Sequence, residues 1–263
     1  MTQRIQLIET RAGQAEVVRY GEGGTLCLVL PGAGGGVRGY GGLCRWLASQ
    51  GFEVAGVNPR GSGASTAPMT GLTLRDFAND VADVIDFFGG PALVVGHAGG
   101  NRVARMLASD RRNLVMGLVL LAAGGSVPGD PEAYAALAAS GDAVLSYAER
   151  RRHVEAANFA PGNRIPDDYP TPDRSGDTLR AFGAAIRTTP DDGWTTGGRA
   201  PMLILQGKQD RLAPPANGHA LQAQVGARAT LIDIDNAGHA LFLEQPKRIC
   251  AAIADFVTAH GLG

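Results

Sequence analysis

The sequence predicts an α/β protein built on a mostly parallel sheet of about eight strands, with a helical insertion before the last two strands. Short apolar segments, such as residues 26–30 and 92–95, alternate with segments whose apolar residues recur at helical spacing, as in residues 72–88. Strands that are apolar along their whole length are typical of parallel sheets covered by helices on both faces. The alternation stops near residue 125 and resumes after residue 200, which indicates that a separate helical unit interrupts one sheet.

The elements can be assigned in order. Alternating apolar and polar residues, from Ile5 and Leu7 to Val17, predict an antiparallel hairpin that turns near Ala12 and Gly13. Six further strands are predicted at residues 26–30, 52–57, 92–95, 114–121, 202–205 and 230–234. Helices are predicted between and after these strands, at residues 43–49, 72–88, 101–109, 216–224 and 246–259.

The interrupting segment has a different character. It contains alanine-rich helical stretches at residues 131–140 and 142–158, a loop rich in proline and aspartate at 161–173, and a helix near 177–188. No strand is predicted within it. We therefore divide the chain into a core of residues 1–124 and 200–263 and a helical cap of residues 125–199.

Composition narrows the range of partners. The chain of 263 residues carries 24 basic and 25 acidic side chains, a net charge of −1, which gives no reason to expect a nucleic-acid or membrane partner. Three scattered cysteines do not form a disulfide framework, and no apolar stretch has the length of a signal peptide or a membrane span. We expect a cytoplasmic protein that binds a small molecule, with a homo-oligomer left open.

Glycine is over-represented, with 38 residues, and many of these lie in turns after predicted strands. Gly34, Gly36 and Gly39 fit a dinucleotide-binding pattern, but the acidic residue that should follow the next strand is absent. The alternative is that the turn of residues 31–33 directs the backbone N–H of Ala33 into a cleft, as one half of an oxyanion hole. We favour this second interpretation and expect neither an organic cofactor nor a metal.

The segment from residue 92 to residue 101 has the form of a nucleophile elbow. This motif, Gly-x-Ser-x-Gly, is a sharp turn between a strand and a helix, and it needs small residues on both sides of the nucleophile. Gly96 and Gly100 stand at the glycine positions, and Gly99 would supply the second oxyanion N–H. The nucleophile position holds Ala98.

These motifs together make the whole chain resemble the α/β-hydrolase family. Residues 31–33 resemble its oxyanion turn, residues 58–65 its Asp-x-Arg-Gly-x-Gly-x-Ser loop, and residues 96–100 its elbow. The resemblance implies that Asp210 is the acid and His239 the base, in the family's chain order. Asp233 and Asp235 are rival acids, and we interpret His97 as a packing residue. With Ala98, residues 96–100 resemble the elbow of a subgroup of this family, which reads Gly-His-Ala-x-Gly.

Ala98 departs from the family pattern because alanine cannot form an acyl-enzyme. The leading interpretation is a hydrolase in which His239 and Asp210 activate water for attack on a lactone, ester, enamine or thioester. Three alternatives stay open. The alanine could be an engineered replacement of serine in an esterase. The same pair could abstract a substrate proton in a cofactor-free lyase, isomerase or oxygenase. The protein could also be a non-catalytic ligand-binding relative.

Overall fold

A computed structural model describes residues 3–167, 169 and 176–263. These residues form one sheet of eight strands: β1 (Arg4–Thr10), β2 (Gly13–Tyr20), β3 (Leu26–Leu30), β4 (Glu53–Val57), β5 (Ala92–His97), β6 (Val115–Leu121), β7 (Met202–Gly207) and β8 (Ala229–Ile234). The strand order is β1-β2-β4-β3-β5-β6-β7-β8, with β3 to β8 parallel and the β1–β2 hairpin antiparallel at one edge. The predicted fold class and the predicted hairpin are confirmed.

Nine α-helices lie in the described residues. They are α1 (Gly41–Ser49), α2 (Leu74–Phe88), α3 (Gly99–Asp110), α4 (Pro131–Ala139), α5 (Tyr147–Asn158), α6 (Gly176–Thr188), α7 (Pro215–Val225), α8 (Leu241–Glu244) and α9 (Pro246–His260). The helix α2 begins two residues later than predicted because Thr73 and Asp76 form a capping box, in which each side chain reaches the backbone of the other. It ends at Phe88 and is capped by Gly89, which adopts the left-handed conformation. The short helix α8 was not predicted.

The sheet separates two apolar layers. Consecutive strand residues alternate between them: Leu28 and Val94 pack in one layer, and Val29 and Val95 pack in the other. Both layers are closed to solvent by helices, α2 and α3 on the first side and α1 and α9 on the second. The uninterrupted apolar runs in the sequence therefore reflect burial on both faces of the sheet.

The segment between β6 and β7 contributes α4, α5, α6 and a short 3-10 turn at Trp194–Thr196, and the part of it that the structure describes contains no strand. The predicted loop at 161–173 lies partly outside the described residues. The division into a core of 1–124 and 200–263 and a cap of 125–199 stays a prediction, although the helical character of the segment agrees with it.

Candidate active site

The candidate site lies at the carboxyl ends of the parallel strands, where ligands bind in open α/β sheets. The turn of residues 31–33 follows β3 and Ala98 follows β5, and these two strands are neighbours in the sheet. Asp210 and His239 follow β7 and β8, which are also neighbours. The strand order therefore brings the predicted site residues to one edge of the sheet.

Ala98 is the single residue between β5 and α3, and its backbone is strained, with φ 48° and ψ −108°. The neighbouring glycines permit the sharp turn. A Cβ at Gly96 would lie 2.7 Å from the backbone nitrogen of Asn101, and one at Gly100 would lie 2.3 Å from the carbonyl oxygen of Leu30. The elbow predicted from the sequence is thus present as a backbone shape, whose glycines are required by close contacts.

The elbow also directs backbone donors toward the cleft. The N–H of Ala98 donates to the carbonyl oxygen of Leu121 (2.9 Å), whereas Gly99 is the first residue of α3. The first N–H groups of a helix lack partners within the helix and carry partial positive charge. Because α3 has no side-chain cap and no acidic residue in its first turn, these donors remain available to an anion.

The turn after β3 lies against the same place. A Cβ at Gly99 would lie 2.8 Å from the backbone nitrogen of Ala33, so the chain passes very close to the start of α3. The N–H of Gly32 donates to the Tyr40 hydroxyl (3.0 Å), which leaves Ala33 as the turn residue whose N–H is near Gly99. Both Ala33 and Gly99 line the cleft. The oxyanion role of these two N–H groups stays a prediction.

His239 and Asp210 form a buried pair. The His239 Nδ1 lies 2.9 and 3.1 Å from the two carboxylate oxygens of Asp210, and Oδ1 also accepts from the N–H groups of Leu212 (2.9 Å) and Ala213 (2.8 Å). The backbone donors therefore hold the carboxylate in place, and the carboxylate in turn orients the imidazole. Since Nδ1 is engaged by Asp210, Nε2 is the nitrogen left to act on a molecule in the cleft.

The rival acids have other partners. Asp233 pairs with the half-exposed His219 at 3.0 Å. Asp235 pairs with Lys208 and Arg248 at 2.6 and 3.1 Å. Of the three aspartates considered from the sequence, Asp210 is the one whose carboxylate contacts His239.

Glu244 holds the loop that carries His239, a role that the sequence did not suggest. Its carboxylate accepts from the N–H of Gly238 (2.8 Å), from the N–H of Ala160 (2.7 Å) and from the Asn163 side chain (2.8 Å). Burial raises the pKa of this carboxyl group. One side chain thus ties the residue before His239 to the chain that follows α5, and no local motif marks such a long-range contact.

His97 does more than pack. Its Nε2 lies 2.9 Å from the carbonyl oxygen of His239, and its Nδ1 lies 2.7 Å from the Tyr40 hydroxyl. In the neutral ring, Nε2 carries the hydrogen because a carbonyl only accepts, and Nδ1 then accepts from Tyr40. The series from Gly32 through Tyr40 and His97 to His239 links the oxyanion turn to the histidine loop.

Asn58 and Arg60 follow β4, where a dinucleotide site would hold the ribose, and both are engaged within the protein. The Asn58 amide accepts from the N–H of Val37 (2.7 Å) and donates to Glu16 (2.5 Å). Arg60 makes a bidentate pair with Asp80, at 2.8 and 2.7 Å. Both side chains already have protein partners, which favours the oxyanion interpretation of the glycine-rich turn.

The cleft is small and mostly apolar. Its volume is about 230 Å³, and it is lined by Ala98, His239, Ala33 and Gly99 together with cap residues such as Tyr134.

The three cysteines lie outside this cleft, in β3, α1 and α9, and burial raises the pKa of each thiol. Among the described residues, no group of three histidines, cysteines or carboxylates is placed to hold a metal ion. No helix within residues 3–167, 169 and 176–263 is long and apolar enough to cross a membrane.

Comparison with known proteins gives the family. Residues 27–252 match the Alpha/beta hydrolase family, and the chain belongs to it. A segment of 76 residues is 41% identical to a soluble epoxide hydrolase from Corynebacterium sp. (strain C12). That match covers 28% of this chain and 26% of the relative, so the chain spans only about a quarter of the relative's length.

Solved structures share the fold over nearly the whole chain. The structure of E-2-(acetamidomethylene)succinate hydrolase is similar with a TM-score of 0.76 at 21% identity, over 98% of this chain and all (100%) of that one. A thermophilic esterase from Thermogutta terrifontis is similar with a TM-score of 0.76 at 23% identity, over 98% of this chain and 99% of that one. Likeness at this level of identity establishes the architecture, and the function must be argued from the site.

Proposed function

We propose that this protein is a small-molecule hydrolase in which His239, oriented by Asp210, activates a water molecule beside Ala98. No acyl-enzyme forms, because residue 98 carries a methyl group in place of a nucleophile. The observation that carries the proposal is the His239–Asp210 contact at 2.9 Å in the cleft that Ala98 lines. This proposal places the chain with the α/β hydrolases whose elbow reads Gly-His-Ala-x-Gly.

The proposed reaction proceeds in two proton transfers. The Nε2 of His239 takes a proton from water as the oxygen bonds to the substrate carbonyl carbon. The carbonyl oxygen gains negative charge, which the N–H groups of Ala33 and Gly99 stabilise. When the tetrahedral intermediate collapses, the bond to the leaving group breaks and Nε2 returns the proton to that group. Asp210 stabilises the imidazolium between the two transfers.

The proposed substrate is a small, activated compound: a lactone, ester or thioester, whose carbonyl carbon takes the water, or an enamine, whose protonated iminium carbon takes it instead. A cleft of about 230 Å³ is smaller than typical drug-sized sites, which run from about 300 to 1,000 Å³. Water is also a weaker nucleophile than an activated serine, so the carbonyl must itself be reactive. Both considerations favour compact substrates with good leaving groups or ring strain.

A pair of histidine variants tests the proposal. Activity is measured on a panel of γ-lactones, phenyl esters and thioesters, for the wild-type protein, His239→Ala and the control His219→Ala. We expect His239→Ala to lower turnover by about 10²–10⁴-fold, the range for a lost general base, and His219→Ala to leave it unchanged. Equal activity of all three proteins on the best substrate would contradict the proposal.

Isotopes and mass spectrometry then separate the remaining mechanisms. In H₂¹⁸O the product acid should gain one solvent oxygen, and the intact protein should show no covalent adduct during turnover. A parallel reaction is run in D₂O. Incorporation of deuterium into the substrate there, with no gain of oxygen in H₂¹⁸O, would instead indicate proton abstraction by His239.

A further inference from the structure

The cleft contains an arginine that the proposed hydrolysis does not use. Arg102 lies in α3, four residues after Ala98, and its side chain lines the same cleft as His239. It is partly buried. Because Arg102 lines the cleft together with Ala98 and Gly99, it lies on the side of α3 that faces the candidate site.

Arg102 has no acidic partner among the residues that the structure describes. No described carboxylate influences the pKa of its guanidinium, and its one protein acceptor in that part of the chain is the carbonyl oxygen of Gly125, at 3.3 Å from Nη2. Arginine has five N–H donors, so most of them have no acceptor among the described residues. By contrast, Arg60 is held by both oxygens of Asp80.

A second cationic group interacts with Arg102 and adds to the unbalanced positive charge. Arg105, one turn further along α3, is fully buried and donates only to neutral oxygens, those of Asn101 (3.2 Å), Gly124 (2.9 Å) and Thr195 (3.1 Å). Burial lowers the pKa of both guanidinium groups, and the charge of Arg102 lowers the pKa of Arg105 further. A partly desolvated cation without a counter-ion is costly, and an anionic ligand would remove that cost.

We propose that Arg102 binds a carboxylate group of the substrate, so that the protein acts on small carboxylate-bearing acyl compounds. This inference rests on the proposed function, since it places the carboxylate relative to a carbonyl that reacts beside Ala98. Because Arg102 and Ala98 line one cleft of about 230 Å³, the carboxylate and the reacting carbonyl belong to the same small molecule. The planar guanidinium fork matches a carboxylate with two parallel hydrogen bonds.

Two matched ligands test this inference without depending on turnover. One is a γ-butyrolactone with a carboxylate on the ring, and the other is the same lactone with a carboxamide. Dissociation constants are measured by calorimetry for the wild-type protein, Arg102→Gln, Arg102→Lys and the control Arg112→Gln, each combined with His239→Ala so that no lactone is hydrolysed during the titration. Arg112 is exposed and lies beyond the far end of α3, so this control removes the same charge away from the cleft.

We expect the wild-type protein to bind the carboxylate lactone at least tenfold more tightly than the carboxamide. Arg102→Gln should abolish this preference and weaken carboxylate binding by about 10–100-fold, Arg102→Lys should restore part of it, and Arg112→Gln should change nothing. Melting temperatures show whether each variant is folded. A wild-type protein without the preference, or an Arg102→Gln variant that retains it, overturns the inference.

The two proposals fail in different ways. If the carboxylate lactone binds through Arg102 but is not hydrolysed, and no other member of the panel is, the proposed hydrolysis is wrong and the binding site stands. If neutral lactones are hydrolysed with His239 dependence while Arg102→Gln has no effect on carboxylate binding, the carboxylate site is wrong and the hydrolysis stands.

Discussion

The two sides of the cleft are built in different ways. On the sheet side, Asp210 is 4% exposed and is fixed by two backbone N–H groups in addition to His239. On the cap side, Tyr134 is 50% exposed, and its hydroxyl donates to the carbonyl oxygen of Leu212 at 3.0 Å. The sheet side therefore fixes the groups proposed to react, and the cap side supplies a softer surface that shapes the space around a substrate.

This contrast divides the expected effects of mutation. Changes on the sheet side should act on kcat because they move groups that meet the transition state, and catalysis depends on sub-ångström placement of such groups. Changes on the cap side should act mainly on KM, because they alter contacts that the substrate makes before and during reaction alike.

The largest loss is expected for Asp210→Asn. The amide can present its NH₂ group to Nδ1 of His239, which would favour the wrong tautomer and remove the charge that stabilises the imidazolium. We expect kcat to fall by about 10²–10⁴-fold. Asp233→Asn is the matched control, because it removes a carboxylate from the half-exposed His219 instead. Equal losses in the two variants would show that Asp210 has no special role.

A gain is expected for Ala98→Ser. The hydroxyl would stand on the strained elbow in the cleft that His239 also lines, which is the arrangement of an activated serine. We expect turnover of phenyl acetate to rise by roughly 10²-fold, well below the roughly 10⁶-fold that a complete triad supplies. Mass spectrometry should detect an acetyl adduct, and adding His239→Ala should abolish both effects. An Ala98→Ser protein that folds but acquires no esterase activity would count against the proposed oxyanion hole.

The sequence was sufficient for most of the fold because the strands are buried on both faces and the turns carry glycine. The runs at 26–30 and 202–205 could be assigned directly, and the elbow followed from Gly96 and Gly100. Helix ends were harder to predict, since the start of α2 depends on the Thr73 cap. Contacts between side chains that are distant in the sequence could not be predicted. The contacts of Glu244 with the chain after α5, and of Tyr40 with His97, join segments that no local pattern relates.

A change in the loop that carries His239 should have an effect of intermediate size on kcat. A Cβ at Gly238 would lie 2.8 Å from the carbonyl oxygen of Asn158 and 2.8 Å from the backbone nitrogen of Ala160. Gly238→Ala should therefore push this loop away from the chain after α5, lower kcat by about tenfold and lower the Tm by about 5 °C. Gly42→Ala is the control, because a Cβ there meets nothing within 4 Å and lies in α1. Identical kinetics for Gly238→Ala would show that the loop tolerates displacement.

The smallest effect is expected on the cap side, for Tyr134→Phe. The change removes the hydrogen bond to the Leu212 carbonyl oxygen and leaves the ring that lines the cleft. One such bond contributes about 0.5–1.5 kcal/mol to holding the ring in place, and the half-exposed position favours the lower end. At most this free energy is lost from substrate binding when the ring is released, so KM should rise by about two- to fivefold with kcat unchanged. Tyr147→Phe, which alters an exposed tyrosine of the cap, should change neither constant. Leu212 also donates its N–H to Asp210. A fall in kcat for Tyr134→Phe that approaches the fall for Asp210→Asn would therefore show that the cap helps to position the acid, and the division between the two sides of the cleft would no longer hold.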